Sequence, residues 1–208
     1  MNPDAPQNPS PKQPKKENFI WDLVKFAAGA FIIVYVIRMF VVQPFIVSGL
    51  SMYPTFNNAD YLVIDELSYR FEAPSRGDVL VFRHTVDPAD PSDPANDKNP
   101  SDFYIKRIIG LPGERLVSND GIITVYPNAS STIGTTLNEP YIESDHKSYD
   151  SWSVSLGPSE YWMMGDNRNE SSDSRYWGPL DRSFFIGRPI VRMFPLGSIG
   201  ILPGKENQ

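Results

Sequence analysis

The sequence predicts a mainly β protein, an antiparallel β domain that follows one N-terminal membrane-spanning helix. Three observations predict it. From Phe19 to Val42 the chain is apolar apart from Gly, Tyr and three charges, Asp22, Lys25 and Arg38. Beyond that stretch come short runs rich in Val, Ile, Tyr and Phe, bordered by Gly, Pro, Asn and Asp, the pattern of strands joined by turns. No segment of helical period follows them.

Taken in order, residues 1–18 are mostly Pro, Asn, Gln and Lys, with too little apolar surface to offset chain entropy, and read as a disordered tail. Residues 19–42 read as a transmembrane anchor. A helix needs about 20 residues to cross a bilayer. Here Phe26 to Ile37 carries no charge, while Asp22 and Lys25 lie near one end and Arg38 near the other, where side chains can snorkel to headgroups. No small-x-small cleavage site precedes Gln43 and Pro44, which weighs against a removable leader. Lys12, Lys15 and Lys16 precede the span, so the positive-inside rule puts the N-terminus in the cytoplasm and residues 43–208 on the outer face. Within 43–208 the expected strands are 45–47, 61–65, 78–83, 103–110, RLV from Arg115, 122–126, 160–165, SFFI from Ser183, and 190–194. The Pro/Asp-rich segment 84–102 reads as a solvated loop.

Composition excludes several classes. A net charge of −6, with no dense basic run beyond Lys12 to Lys16, argues against a nucleic-acid partner. The absence of cysteine removes disulfides, a thiol nucleophile and every Cys-ligated metal or cluster. The two histidines, His84 and His146, lack HExxH spacing and read as solvated loop residues, so neither metal nor cofactor is expected.

Three segments can carry chemistry. In SGLSMYPT, Ser48 to Thr55, Gly49 and Pro54 flank Ser51 in a tight turn. Such a turn can expose a hydroxyl beside backbone N–H groups that stabilise an oxyanion. It is not the G-x-S-x-G elbow, because Tyr53 stands where the second Gly belongs. By itself it reads more readily as a plain turn. In FYIKRIIGLPGE, Phe103 to Glu114, alternation puts Tyr104, Lys106 and Ile108 on one face and Phe103, Ile105, Arg107 and Ile109 on the other. If the Lys106 face is buried, desolvation favours a neutral amine able to accept a proton. At the reference pKa only about one lysine in 2,500 is neutral at pH 7, and lowering it to roughly 8 costs about 3 kcal/mol, which an apolar pocket can impose. The alternative is a pair of ordinary strand-edge charges. In MMGDNRNESSDSRYWG, Met163 to Gly178, Asp166, Arg168, Asp173 and Arg175 can pair charges while Ser and Asn side chains lock the loop.

Together these segments resemble the type I signal peptidases. The order is the family's: an N-terminal anchor, SGLSMYPT, RGDVLVF from Arg76, YIKRIIGLPGE, and GDNRNESSDSR from Gly165. The resemblance implies Ser51 as nucleophile and Lys106 as general base, with the Ser51 N–H in the oxyanion hole. It further implies Ser171 as hydrogen-bond partner of the lysine, and Asp173 with Arg175 as a brace. In some members a serine stands two positions before the nucleophile; Gly49 stands there in this chain, and Ser48 is one residue too early to replace it. The implied substrate is a preprotein with small residues at the first and third positions before the cut, read by shallow pockets that Phe45, Val47, Tyr104 and Ile105 would line. The implied partners are signal-bearing preproteins and the lipid bilayer.

Three other readings compete. A self-cleaving Ser/Lys repressor-type protease cuts its own Ala-Gly bond, yet the pair here, Ala28 and Gly29, lies inside the expected span. An inactive membrane-anchored binding domain has no need of both Ser51 and Lys106. A penicillin-recognising enzyme needs S-x-x-K at a helix start and a later K-T-G, whereas Ser144 to Lys147 lies in a polar run with no K-T-G after it.

Overall fold

The computed structural model describes residues 19–40, 42–83 and 103–204; the expected tail and the loop 84–102 lie outside the described residues. The chain forms two compact units that divide at Arg38/Met39. Helix α1, Phe19–Phe40, of 22 residues, begins in the first and ends two residues past that division. Phe26 and Phe31 in it are 76% and 72% exposed. Among the described residues no helix is long and apolar enough to cross a membrane.

The second unit is antiparallel β. In chain order its elements are β1 (Val42–Ile46), β2 (Tyr61–Asp65), α2 (Ser68–Phe71), β3 (Val79–Arg83), β4 (Phe103–Gly110), β5 (Arg115–Asn119), β6 (Ile122–Tyr126) and β7 (Thr135–Thr136). There follow β8 (Trp152–Ser155), β9 (Glu160–Met164), α3 (Ser174–Trp177), β10 (Leu180–Asp181), β11 (Phe185–Phe194) and β12 (Gly200–Ile201). One sheet runs β1-β2-β11-β3-β4-β9-β10, with β12 paired to β11, and the other runs β7-β6-β5-β8. The pairings between these strands are antiparallel.

In the larger sheet β2, β11 and β3 separate β1 from β4. Phe45 of β1 nevertheless meets Phe103 of β4 edge-on, with ring centroids 5.1 Å apart. The sheet therefore curls, as twisted antiparallel sheets do. Val47, Met52, Phe56, Leu62, Ile64, Val79 and Val81 fill the inside of the curl, with Ile105 packed against them. A second cluster holds Ile108 with Leu80, Phe82 and Met163. In a third, Ile109 and Trp162 meet Leu116, Ile123 and Val125 of the smaller sheet. Strand β4 thus touches three cores.

That arrangement encloses both faces of the strand. From Lys106 to Gly110 β4 is buried on both sides, and Arg107 is fully buried. It is no strand-edge charge. Phe185 and Ile186 of SFFI also join IVRMF in one strand, β11, rather than two, while Ser183 and Phe184 lie in the 3-10 turn before it. Gly187 and Pro189 read as breakers, but register shifts near Gly187, Pro189 and Phe194 absorb them, since bulges tolerate Pro inside a strand. Trp162 is buried and meets the tilted ring of Trp152 at 5.1 Å, so these two serve the core.

Candidate active site

The segment after β1 is fastened at both ends. Val47 N donates to Asp60 O (2.9 Å) and Ala59 N to Val47 O (2.8 Å), while Tyr53 N donates to Leu50 O (3.0 Å) and Phe56 N to Met52 O (2.8 Å). Gly49 has φ +97°, a left-handed conformation that favours glycine, and its N–H donates to Asn58 Oδ1 at 2.9 Å. Met52 and Phe56 are sunk in the core and pin the turn from below. Ser51 is left half-buried at its rim.

Strand β4 brings the amine. Lys106 is opposite Leu80 of β3 and only 3% exposed. Its Nζ lies 2.7 Å from Ser51 Oγ and 3.2 Å from the Ile105 carbonyl oxygen. It also lies 5.7 Å from the centre of the Tyr104 ring. Ser51 and Lys106, separated by 55 positions in the chain, are therefore in hydrogen-bond contact. A groove of about 720 Å³ runs past them. Phe45, Val47, Tyr104 and Ile105 all line it, and so does Ser48.

The loop after β9 supplies the frame. Gly165 is gripped on both sides, its N–H donating to Asp173 Oδ2 (3.1 Å) and its carbonyl accepting from Arg168 Nε (3.1 Å). Asn167 N donates to the Ser51 carbonyl at 3.1 Å. Arg175 holds Asp173 through Nε and Nη2, each at 2.8 Å, and reaches Asp150 at 3.1 Å. Burial acts to raise the Asp150 pKa, but hydrogen bonds from Ser148 and Arg175 outweigh it and hold the carboxyl below the usual range. Asp166 and Arg168 do not pair with each other. Arg107 meets Asp166 in two hydrogen bonds of 2.8 and 2.6 Å, and Arg168 pairs with Glu139, which Tyr141 also holds at 2.8 Å. Tyr141 in turn lies under the Arg107 guanidinium at 4.0 Å. Ser171 Oγ is buried beside Gly165 and accepts or donates no hydrogen bond among the described residues.

A close glycine contact is a second link between this frame and Ser51. A Cβ on Gly165 would overlap both the Ser51 carbonyl oxygen and Ser171 Oγ. Gly165→Ala is therefore expected to displace Ser51 and to lower kcat/KM about 100-fold, the scale for misplacing a reacting group by an ångström. A steady-state assay with a circular-dichroism check on folding measures it, and near wild-type activity would show that the contact is slack.

Arg107, Glu139, Tyr141 and Gly165 are the members of this site that sequence reasoning did not select. A cation inside an apolar strand does signal a buried acid partner. The histidine reading also changes, for His146 is half-buried and edge-on to Tyr53 at 5.1 Å, with Glu143 and Asp145 carboxylates 3.8 and 3.9 Å away.

A serine hydroxyl in contact with a buried lysine amine, at the floor of an apolar groove on an antiparallel β scaffold, is the arrangement of a serine hydrolase that uses lysine in place of histidine. Residues 20–194 match the family described as Signal peptidase, peptidase S26, and the chain belongs to that family. It is 37% identical over 191 residues to "Probable signal peptidase I-2" of Synechocystis sp., covering 92% of this chain and 81% of that one. It is 34% identical over 202 residues to "Signal peptidase I" of Leptolyngbya laminosa, covering 95% and 91%. With "Signal peptidase IB" of Staphylococcus aureus the identity is 29% over 211 residues, covering 93% and 98%.

Proposed function

We infer that this protein is a membrane-bound serine endopeptidase that removes N-terminal signal peptides from exported preproteins, cutting after small residues of the Ala-x-Ala type. The observation that carries the reading is the 2.7 Å approach of a buried lysine amine to Ser51 Oγ. Serine is a weak nucleophile until a neighbour takes its proton, and withdrawal from water favours the neutral amine that can take it. Lys106 accepts the Ser51 proton as Oγ bonds to the scissile carbonyl carbon, and the Ser51 N–H serves the developing oxyanion. The ammonium so formed protonates the leaving amine. Water then gives a proton to the same amine as it attacks the acyl-enzyme, and Ser51 recovers its own. Asp173 with Arg175 is assigned to brace the loop that carries Ser171, whose Oγ is buried beside Gly165 and makes none of the hydrogen bonds to the lysine that the resemblance implies.

Family membership supports the substrate class. The preprotein lies as an extended strand in the groove, its small side chains toward Phe45, Val47, Tyr104 and Ile105. The test is full-length protein in liposomes with a preprotein. A single cut after a small residue, absent in Ser51→Ala and in Lys106→Ala, is the expected result. Cleavage that survives both replacements, or none by the wild type, overturns it.

Helix α1 is assigned as the anchor. The assignment rests on the sequence pattern: Phe26 to Ile37 carries no charge, and Asp22, Lys25 and Arg38 lie toward the ends, where side chains can snorkel to headgroups. Anchoring raises the effective concentration of the site near membrane-tethered substrates. The chain has no cysteine, which makes topology simple to measure. Cysteines introduced singly as Ser10→Cys and Ser130→Cys are expected to react with a membrane-impermeant maleimide from the cytoplasmic and the outer side respectively. Labelling of both from one side would exclude a single crossing.

A further inference from the structure

The groove beside Ser51 carries an acid that the cleavage chemistry does not use. Among the described residues lining it, those that ionise are Tyr104, Lys106 and Glu170. Glu170 closes the single turn Arg168–Glu170, directly before Ser171, and its side chain is exposed. Its seat is fixed by Asn167, which is buried. The Asn167 side-chain oxygen accepts from Glu170 N (3.3 Å), and its Nδ2 lies 3.5 Å from Glu170 Oε2. The Asn167 N–H donates to the Ser51 carbonyl, so one residue ties the acid to the nucleophile.

When the enzyme is ready to react, Lys106 is neutral, and a phenol is neutral near pH 7. Glu170 then supplies the net charge of the described lining, in a groove whose apolar walls focus its field. An extended substrate turns alternate side chains to opposite sides. The first and third residues before the cut occupy the apolar pockets, which leaves the second residue before it and the first after it able to carry charge close to Ser51.

We propose that Glu170 is a specificity-determining residue that favours a cationic side chain, and disfavours an acidic one, at the positions flanking the bond that is cut. The proposal rests on the cleavage reading above. It is tested with one preprotein carrying Lys, Gln or Asp at each of those two positions in turn, against wild type, Glu170→Gln and Glu170→Lys. The readout is the ratio of kcat/KM for the Lys and Asp substrates within each enzyme form, so any change in overall rate cancels. In wild type the ratio is about tenfold at one or both positions, the product of a modest attraction and a modest repulsion. It falls to near one in Glu170→Gln, inverts in Glu170→Lys, and shrinks in about 1 M salt, where a partly exposed charge is screened. A wild-type ratio near one at both positions, or a ratio that Glu170→Gln leaves unchanged, overturns the assignment while the Gln substrates are still cut. Failure of wild type to cut any of the substrates overturns the protease reading itself.

Discussion

Lys106→Ala is expected to lower kcat about 10⁴- to 10⁶-fold at neutral pH with little change in KM, and Ser51→Ala to do the same. The reason is that the two groups perform one step. Lys106 Nζ and Ser51 Oγ are 2.7 Å apart, so without the amine the hydroxyl keeps its proton, and without the hydroxyl the amine has nothing to activate. The double variant is therefore expected to be no worse than either single one, because the second replacement removes a group already idle. Lys106→Met, which keeps most of the stem volume in a strand buried on both sides, separates lost packing from lost chemistry and is expected to be equally inactive. Lys106→Arg is also expected to fail, because a guanidinium stays charged and cannot accept the proton. In wild type the rate rises with pH as the amine loses its proton and then levels off, since the base works only when unprotonated. Single-turnover cleavage of a preprotein across that range measures both effects. If Lys106→Met kept more than about a tenth of the wild-type rate, or the rate fell as pH rose through neutrality, lysine would not be the base.

How far the site could be read from the chain depends on the kind of contact involved. Strand positions were legible because Val, Ile, Tyr and Phe runs between turn residues report local preference, and Ser51 and Lys106 stood in motifs whose residue order survives without coordinates. What joins those motifs was not legible. Arg107 is opposite Met164 across β4 and β9, which brings Asp166, two residues past that strand, beside the guanidinium. Nothing in sequence spacing sets that register. Asp166, Arg168, Asp173 and Arg175 could be read as able to pair charges, but not in which combination; Asp173 pairs with Arg175, while Arg168 turns to Glu139 on a different loop. Period-two alternation sorted β4 onto two faces but could not show that both are covered, the second partly by the smaller sheet. The continuous β11 was hidden by Gly187 and Pro189, which break strands on average but are accommodated by bulges in this one.

Asp166→Asn and Arg107→Met are each expected to destabilise the β unit by about 3–5 kcal/mol, the usual cost of leaving one member of a buried ion pair without the other. Both side chains are fully buried. Arg107 gives Nε and Nη2 to Asp166 and Nη1 to the carbonyls of Gly77 (2.7 Å) and Gly204 (2.6 Å), and Thr55 Oγ1 donates to Asp166 Oδ2 at 2.5 Å. For a domain of this size such a loss lowers the unfolding midpoint by about 10 °C. Combining Arg107→Met with Asp166→Leu removes both charges, so it recovers part of the loss. Full recovery is not expected, because Gly77, Gly204 and Thr55 would still lack the partners they have now. The positions flanking the pair give it a second consequence. Lys106 precedes Arg107, and Gly165, which abuts Ser51, precedes Asp166; the ion pair therefore clamps the strand bearing the amine to the loop beside the hydroxyl. Activity measured well below every variant's midpoint is accordingly expected to fall in the singles and to stay low in the double, even as its stability returns. A double variant that regained full cleavage together with its midpoint would mean that the pair only holds the fold, and that the distance between Ser51 and Lys106 is set elsewhere.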